Sequence, residues 1–302
     1  MYDIIVVGAG TAGLSAAIYG VRAGKSVLVM EGEAYGGQII NTLEIENYPG
    51  IKHVSGFDFA QGLYEQATAL GAEYKASAVK SIDDMGDYKV VHTRKQDIEG
   101  KTVILATGAK NRKLGLPRED ELSGAGVSYC ATCDGAFFRG KDVVIAGGGN
   151  TAIEDAIYMS NVANKVYVVH RREQFRAEQA LVDSLKEKDN VEFVLNANVV
   201  NLHGEQRLDG VEVEDKNTKE RRILPVSGIF VAIGQVPQNE PFENLVVLEG
   251  GYIKAGEDTL TSAKNVFAAG DCRTKTVRQL TTAAADGATA AIAAIAALDY
   301  GA

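Results

Sequence analysis

Cys130 and Cys133 stand two residues apart, and Asp134 follows at once. A Cys-x-x-Cys pair has two uses. It can open and close as a disulfide with one thiolate stabilised, or it can supply half of a zinc site. A structural zinc site needs four ligands; only Cys272 remains, and His53, His92, His170 and His203 are scattered. A carboxyl beside a dithiol can give or relay a proton, although Asp before Gly135 is also an ordinary turn former. Cys272 has no partner at short range and reads as a small buried residue.

Two glycine-rich turns carry a second kind of chemistry. Gly8, Gly10 and Gly13 form G-x-G-x-x-G between a β-branched run and an amphipathic stretch. The first Gly allows the tight turn, the second lets backbone approach a pyrophosphate, and the third lets helix and strand pack closely. The helix N-terminus then favours the phosphates. Glu31 ends the next apolar run, where a carboxylate can accept from a ribose hydroxyl. Gly147, Gly149 and Ala152 repeat the pattern, but His170 stands in the place of Glu31, with Arg171, Arg172 and Arg176 beyond it. Losing the carboxylate and gaining three guanidinium groups turns the preference towards a 2′-phosphate, hence NADPH over NADH. A solvated strand edge is the plainer reading of the same basic run. A hydride donor and a second dinucleotide in one chain need an electron acceptor, which favours the redox reading of the dithiol.

The elements that must position these residues follow from one repeat. The segments starting at Asp3 and Asp142 align without a gap, and each reads strand, glycine turn, helix, strand. Residues 36–50 read as a loop, Phe57 to Leu70 as a helix, and 102–109 as a buried strand ending in a turn. Lys113 to Ser128 reads as a crossover between domains, Glu178 to Lys188 as a helix, and the stretch up to Arg222 as short strands. Two further strand-turn segments lie at 228–237 and 265–271, and the Ala-rich end is helical. The expected class is α/β with parallel sheets and two dinucleotide-binding domains. The 302 residues suit two domains. With 33 Gly but only 5 Pro, the glycines mark turns and not a disordered tract. A net charge of -9 argues against a nucleic-acid binder and supports no anionic-membrane binder. No unbroken apolar run reaches the roughly 18 residues of a membrane span, and no basic stretch precedes the first strand. Three cysteines make no disulfide framework, so a cytoplasmic location is expected.

Together these motifs resemble bacterial-type low-molecular-weight thioredoxin reductases. The likeness runs nearly end to end: the first glycine turn, Gly36 to Gln38, Glu46 to Gly50, Ala106 to Ala109, Cys130 to Gly135, Gly147 to Ala152, His170 to Ala177, Val266 to Asp271 and Arg278 to Leu280. A dithiol followed by Asp-Gly inside the second nucleotide domain is the most specific of them. The resemblance implies non-covalent FAD held by Gly8, Gly10, Thr11, Ala12, Gly13 and Glu31. Along the flavin it implies Gly36, Gly37, Gln38, Asn47, Val79, Ala106, Thr107 and Gly108, with Gly270, Asp271, Arg278, Gln279 and Leu280 from the chain's end. For NADPH it implies Gly147, Gly149, Asn150, Thr151, Ala152 and His170, the 2′-phosphate arginines Arg171, Arg172 and Arg176, and Ile233 and Gly234. It makes Cys130 and Cys133 the redox pair, Asp134 the acid, thioredoxin the protein substrate and a homodimer the assembly. It splits the FAD domain into residues 1–111 and 241–302, with an NADPH domain inserted at 112–240. NADPH and the dithiol cannot both meet one flavin at once. A rotation of the inserted domain follows, with hinges expected near Gly115 and Pro117 and near Gly234 and Pro237. Small departures occur at Asn41, Asn150 and Cys272.

Overall fold

Val and Ile lose side-chain freedom in a helix but pack well on a pleated surface, and the apolar runs that open both repeats are strands. The first half of the chain holds β1 (Tyr2–Val7), α1 (Thr11–Arg22), β2 (Val27–Glu31), α2 (Gly56–Ala69), β3 (Glu73–Ala76), β4 (Val79–Asp84), β5 (Lys89–Thr93), β6 (Asp97–Leu105), β7 (Ala109–Asn111), β8 (Val127–Ser128), α3 (Ala131–Asp134) and β9 (Asp142–Gly147). Then come α4 (Asn150–Ser160), β10 (Lys165–His170), α5 (Gln179–Lys186), β11 (Val191–Leu195), β12 (Ala197–His203), β13 (Gly210–Asp215), β14 (Arg221–Leu224) and β15 (Gly228–Ala232). The chain ends with β16 (Gln235–Pro237), β17 (Leu248–Glu249), β18 (Tyr252–Ile253), β19 (Val266–Ala268) and α6 (Leu280–Tyr300). This computed structural model describes all residues except Leu43 and Ala302, and Asn41 by its backbone only. The chain divides into two units, Met1–Lys110 with Val236–Ala302, and Asn111–Gln235.

The first unit is built on a seven-stranded sheet in the order β3-β2-β1-β6-β5-β4, with β19 also on β6. β1, β2, β3, β6 and β19 pair in parallel, whereas β4 and β5 are antiparallel. Besides β1 on one edge, β6 is long enough for two partners on the other. Its start, Asp97 to Gly100, pairs with β5, and its end, Val103 to Leu105, takes β19. The antiparallel arm departs from the all-parallel expectation. Its short half-exposed strands turn at Gly86, so they carry none of the long apolar runs that mark buried parallel strands. A single 3-10 turn, Gly37–Asn41, also lies in the segment read as loop.

Alternation along β1 separates two cores. Ile4 and Val6 meet α1 and α6, while Ile5 and Val7 meet Phe242, Val246 and Ile253. α6 is long and apolar enough to cross a membrane by length and composition alone. The sequence contains no matching unbroken run because Thr and Asp residues interrupt it. Its Ala290, Ala291 and Ala294 sit in the α1 core, which makes it a core helix of this unit.

Asp286 of α6 is a buried acid of the unit, 5% exposed. It accepts two bonds from Arg273, Nε to Oδ2 and Nη2 to Oδ1, both at 2.8 Å. Lys275 Nζ lies at 3.0 Å and the Gly270 N–H at 2.9 Å. Burial pushes the Asp286 carboxyl up, but Arg273, Lys275 and the Gly270 amide outweigh it and hold it below the usual range.

The second unit has an all-parallel sheet, β11-β10-β9-β15-β8. Val143, Ile145 and Val168 pack on α4 and α5, while Val144, Val169 and Ile229 face the antiparallel sheet β12-β13-β14. Residues 113–128, expected as a crossover, lie inside this unit. Buried Glu119 fixes their loop by accepting from the Leu114, Gly115 and Leu116 amides and from Tyr129 Oη. The chain passes between the units at β7 and β16, which pair with each other.

Two stability predictions follow from these buried carboxyls. Asp286→Ala leaves buried Arg273 with only the exposed Glu257 as a carboxylate partner and costs about 3–5 kcal/mol, read as a lower denaturation midpoint in urea. Half-buried Asp155 on α4 has no cation paired with it among the described residues, and burial, then Glu154, push its carboxyl up to about 7. Its folded form therefore resists ionisation, and stability falls as pH rises from the unfolded carboxylate range to about 7. Asp155→Asn should gain on the order of 2–4 kcal/mol above pH 7 and little near pH 4, as followed by urea unfolding at several pH values.

Candidate functional site

In the first unit the glycine turn joins β1 to α1. Gly8 has φ +111°, and a Cβ on Gly13 would lie 1.9 Å from the Gly8 carbonyl oxygen. Packing thus demands Gly at both positions. Gly10 is different. Its φ of -77° suits any residue, and the nearest atom to an added Cβ is 4.0 Å away. Its missing side chain leaves open room beside the N-terminus of α1, which has no side-chain cap. That room, with free N–H groups behind it, fits a pyrophosphate. Glu31 Oε2 accepts from the Ala9 amide at 2.9 Å and Oε1 from Glu33 at 3.0 Å, so the carboxylate is fixed at the rim.

Other segments of this unit converge on the same turn. The Gly36 amide donates to the Ala9 carbonyl at 2.7 Å, and a Cβ added on Gly37 would lie 3.5 Å from Gly10 Cα. Gln38 and Asn47 are exposed beyond them, and Asn47 Nδ2 reaches Gln279 Oε1 at 3.5 Å. Gly270 packs on Ala12, with Thr11 buried beside it. Ala106 continues β6, and Thr107 Oγ1 donates to Asn239 Oδ1 at 2.7 Å. Gly108 follows with φ +66°, and half-buried Val79 opens β4. Gln279 caps α6 through Thr282, and Leu280 is its first residue.

Two buried polar atoms here have no partner among the described residues, Asp271 Oδ1 and Arg278 Nε. Burial pushes the Asp271 carboxyl up, against the pull of Lys275 and Arg278. The Arg278 guanidinium stacks 4.4 Å over Tyr252. An unpartnered acceptor and donor at such a turn fit a polar ligand reaching in from the glycine turn, as a flavin dinucleotide would. Cys272 is fully buried, its thiol directed at the Leu105 and Ala269 carbonyls, and burial pushes it up. That makes it inert. The sequence reading missed Asn239, which is buried and also donates to Gly251 and Cys272 carbonyls. It missed Arg273 and Asp286 as well. Single polar residues outside a motif carry no spacing signal.

The second unit repeats the turn with one change. An added Cβ on Gly147 would meet the Ala232 carbonyl at 2.3 Å and Ala152 Cβ at 2.7 Å, so the tolerated methyl has moved to Ala152. Gly149 has nothing within 4 Å of an added Cβ, so it is as open as Gly10 or more so. Its φ of -97° again makes no demand for Gly, and α4 likewise lacks a side-chain cap. Thr151 is exposed at this end, while Asn150 exchanges hydrogen bonds with Glu178. The buried His170 ring lies against Gly148, stacks on Phe175 and reaches the Gln174 carbonyl at 3.2 Å. Burial pulls it below its ordinary value, and the neighbouring arginines add to the shift. His170 is thus a neutral wedge under the turn. The cations are Arg171, Arg172 and Arg176, all exposed, with no acceptor for their guanidinium groups among the described residues. Lys216 Nζ joins them, 3.1 Å from the Arg171 carbonyl. Ile233 is exposed after β15, and Gly234 accepts from the Arg112 amide.

The dithiol occupies the short helix α3 of this unit. Cys130 and Cys133 form a disulfide, and the Cys133 amide donates to Cys130 Sγ at 3.2 Å. This closed bond excludes the zinc option for the pair in this state. Asp134 is half-buried. Burial pushes its carboxyl up, partly offset by the Ser128 hydroxyl. A carboxyl of this kind holds a proton closer to neutral pH than an exposed one.

Known proteins share this arrangement. The chain is 42% identical over 293 residues to a thioredoxin reductase of Bacillus subtilis (strain 168), covering 96% of this chain and 93% of that protein. The crystal structure of thioredoxin reductase from Streptococcus pyogenes MGAS5005 matches with a TM-score of 0.95 and 41% identity, over 99% of this chain and 98% of that one. Thioredoxin reductase from Giardia duodenalis matches at 0.93 and 33% identity, over 98% of each chain. A family model described as pyridine nucleotide-disulphide oxidoreductase spans residues 2–287. With its two dinucleotide-binding folds and a disulfide set in the second of them, the chain belongs to the pyridine nucleotide-disulphide oxidoreductase family.

Proposed function

We propose that this chain is an NADPH-dependent flavoprotein that reduces the disulfide of thioredoxin. The observation that carries the reading is the Cys130–Cys133 disulfide, set in the same unit as a glycine turn flanked by exposed arginines. When bound, NADPH supplies a hydride and FAD takes up its two electrons for delivery to the disulfide.

The chain's own residues do the rest. The open space at Gly10, the α1 N-terminus and Glu31 would receive the FAD pyrophosphate and ribose, with Asp271 and Arg278 bonding further along it. FAD is held non-covalently in this reading. Gly149 and the α4 N-terminus would receive the NADPH pyrophosphate, while Arg171, Arg172 and Arg176 bind the 2′-phosphate. Neutral His170 adds no charge there but holds the turn in place. Cys133 is the sulfur that takes up electrons, and Cys130 is the thiolate that attacks the disulfide of thioredoxin. Asp134 protonates the thiolate that is left. A homodimer in the cytoplasm goes with this reading, on the strength of the resemblance.

Nicotinamide absorbance tests it directly. Purified protein should consume NADPH rapidly only when oxidised thioredoxin is present, and NADH slowly. Arg171→Ala with Arg176→Ala should raise KM for NADPH about ten- to a hundredfold and leave NADH unchanged. Turnover without thioredoxin dependence would move the search to another disulfide acceptor, and equal use of both nucleotides would refute the arginine assignment. Cys133→Ser should abolish turnover yet trap a mixed disulfide through Cys130, visible as a covalent adduct by mass. Cys130→Ser should trap none.

A further inference from the structure

The Ser128 hydroxyl is unaccounted for by the roles above. It ends β8, is 4% exposed, and lies between the two ends of the dithiol turn. Its Oγ accepts from the Cys130 amide at 3.1 Å and donates to Asp134 Oδ2 at 2.6 Å. The Cys130 carbonyl is 3.4 Å away and accepts from the Asp134 amide at 3.1 Å. We propose that Ser128 is the positioning residue for Asp134 in the reaction of the Cys130–Cys133 pair. The proposal rests on the reading of Asp134 as the acid.

Chemistry explains why a hydroxyl belongs there. A hydroxyl has one proton and two lone pairs. The Cys130 amide occupies one lone pair. While Asp134 is ionised, the hydroxyl proton points at its carboxylate. Once Asp134 is protonated, its O–H can donate into the second lone pair, and the hydroxyl proton turns to the Cys130 carbonyl. A backbone amide could serve only the ionised state. Ser128 therefore keeps the Asp134 side chain in one place through both halves of a proton cycle. The proton itself moves from the Asp134 carboxyl to the thiolate left when the Cys130–Cys133 bond takes up two electrons that originate in reduced nicotinamide nucleotide. Water then returns a proton to Asp134.

Apart from its own burial, the influence on Asp134 is this hydroxyl. Glu154 and Asp155 lie on α4, which packs against α3, and Arg139 and Lys141 follow the dithiol turn. None of them acts on Asp134, whose carboxyl answers to its own burial first and to Ser128 second. A hydroxyl donated to a carboxylate favours the charged form, so its loss raises the pH at which Asp134 ionises.

The test compares Ser128→Ala, Ser128→Thr and Asp134→Asn in the full-length holoprotein. Two quantities are read, the pH profile of thioredoxin reduction and the infrared titration of the carboxyl, assigned by its loss in Asp134→Asn. Ser128→Ala should move both midpoints to higher pH and lower the rate at neutral pH roughly tenfold, a fraction of what a general acid contributes. Ser128→Thr should restore both. If the Thr variant does not fold, the Ala titration alone decides. A slower rate with an unmoved Asp134 titration would make Ser128 merely structural and overturn the proposal. If Asp134→Asn itself left the pH profile unchanged, the acid assignment would fall, and the inference built on it would fall too.

Discussion

The close approach of a helix to the end of a strand governs this molecule. At Gly8 and Gly13 no side-chain carbon fits, and at Gly147 and Ala152 one methyl does. That spacing sets the N-terminus of α1, and again of α4, at the carboxyl ends of parallel strands, where oriented amides can meet anionic ligands. Further constraints are secondary to it. Gly270 must pass Ala12, and β19 must lie on β6 to bring it there. The middle glycine of each turn is exempt from packing, and that exemption separates a structural glycine from one kept for a ligand.

The buried and half-buried acids with shifted ionisation fall into two groups. Asp286 is surrounded by donors and stays ionised. It ties α6 to the Gly270 turn from behind. Asp134, Asp155 and Asp271 are pushed the other way by burial. Asp134 lies beside the disulfide and Asp271 beside the first glycine turn. An acid held charged by cationic partners marks the framework, and an acid pushed towards its neutral form marks, at Asp134 and Asp271, the dithiol and the first glycine turn. Against the overall negative charge, the arginine cluster after β10 is a local feature, screened beyond about 8 Å.

Much of this was legible in the residues because parallel α/β folds write their rules in short range. The glycine turns, the β-branched runs and the dithiol each combine a period or a spacing with a chemical requirement. The antiparallel arm β4–β5 was not legible, because alternation over five or six half-exposed residues differs little from loop. The segment around Pro117 reads as a linker by its Gly and Pro, yet the Glu119 carboxylate satisfies three of its amides and makes it part of the second unit. His170 stands at the position of Glu31, but its role under Gly148 is steric. Only the fold shows the ring buried. Ser128, Asn239 and Arg273 act through partners that are distant in sequence or hidden in a turn, and no motif announces them.

The chain's division also fixes an order of assembly during synthesis. The second unit is one contiguous stretch, and every strand of its parallel sheet is available once Ala232 has emerged. The first unit cannot close at that moment. β6 still lacks β19, α1 still lacks the helix that covers it, and Arg273 and Asp286 have yet to be made. At that point both faces of the amino-terminal sheet still lack residues that cover them, whereas the insert has all of its own strands. A nucleotide fold interrupted in this way depends on its last residues for its first, and the carboxyl-terminal helix acts as its clasp.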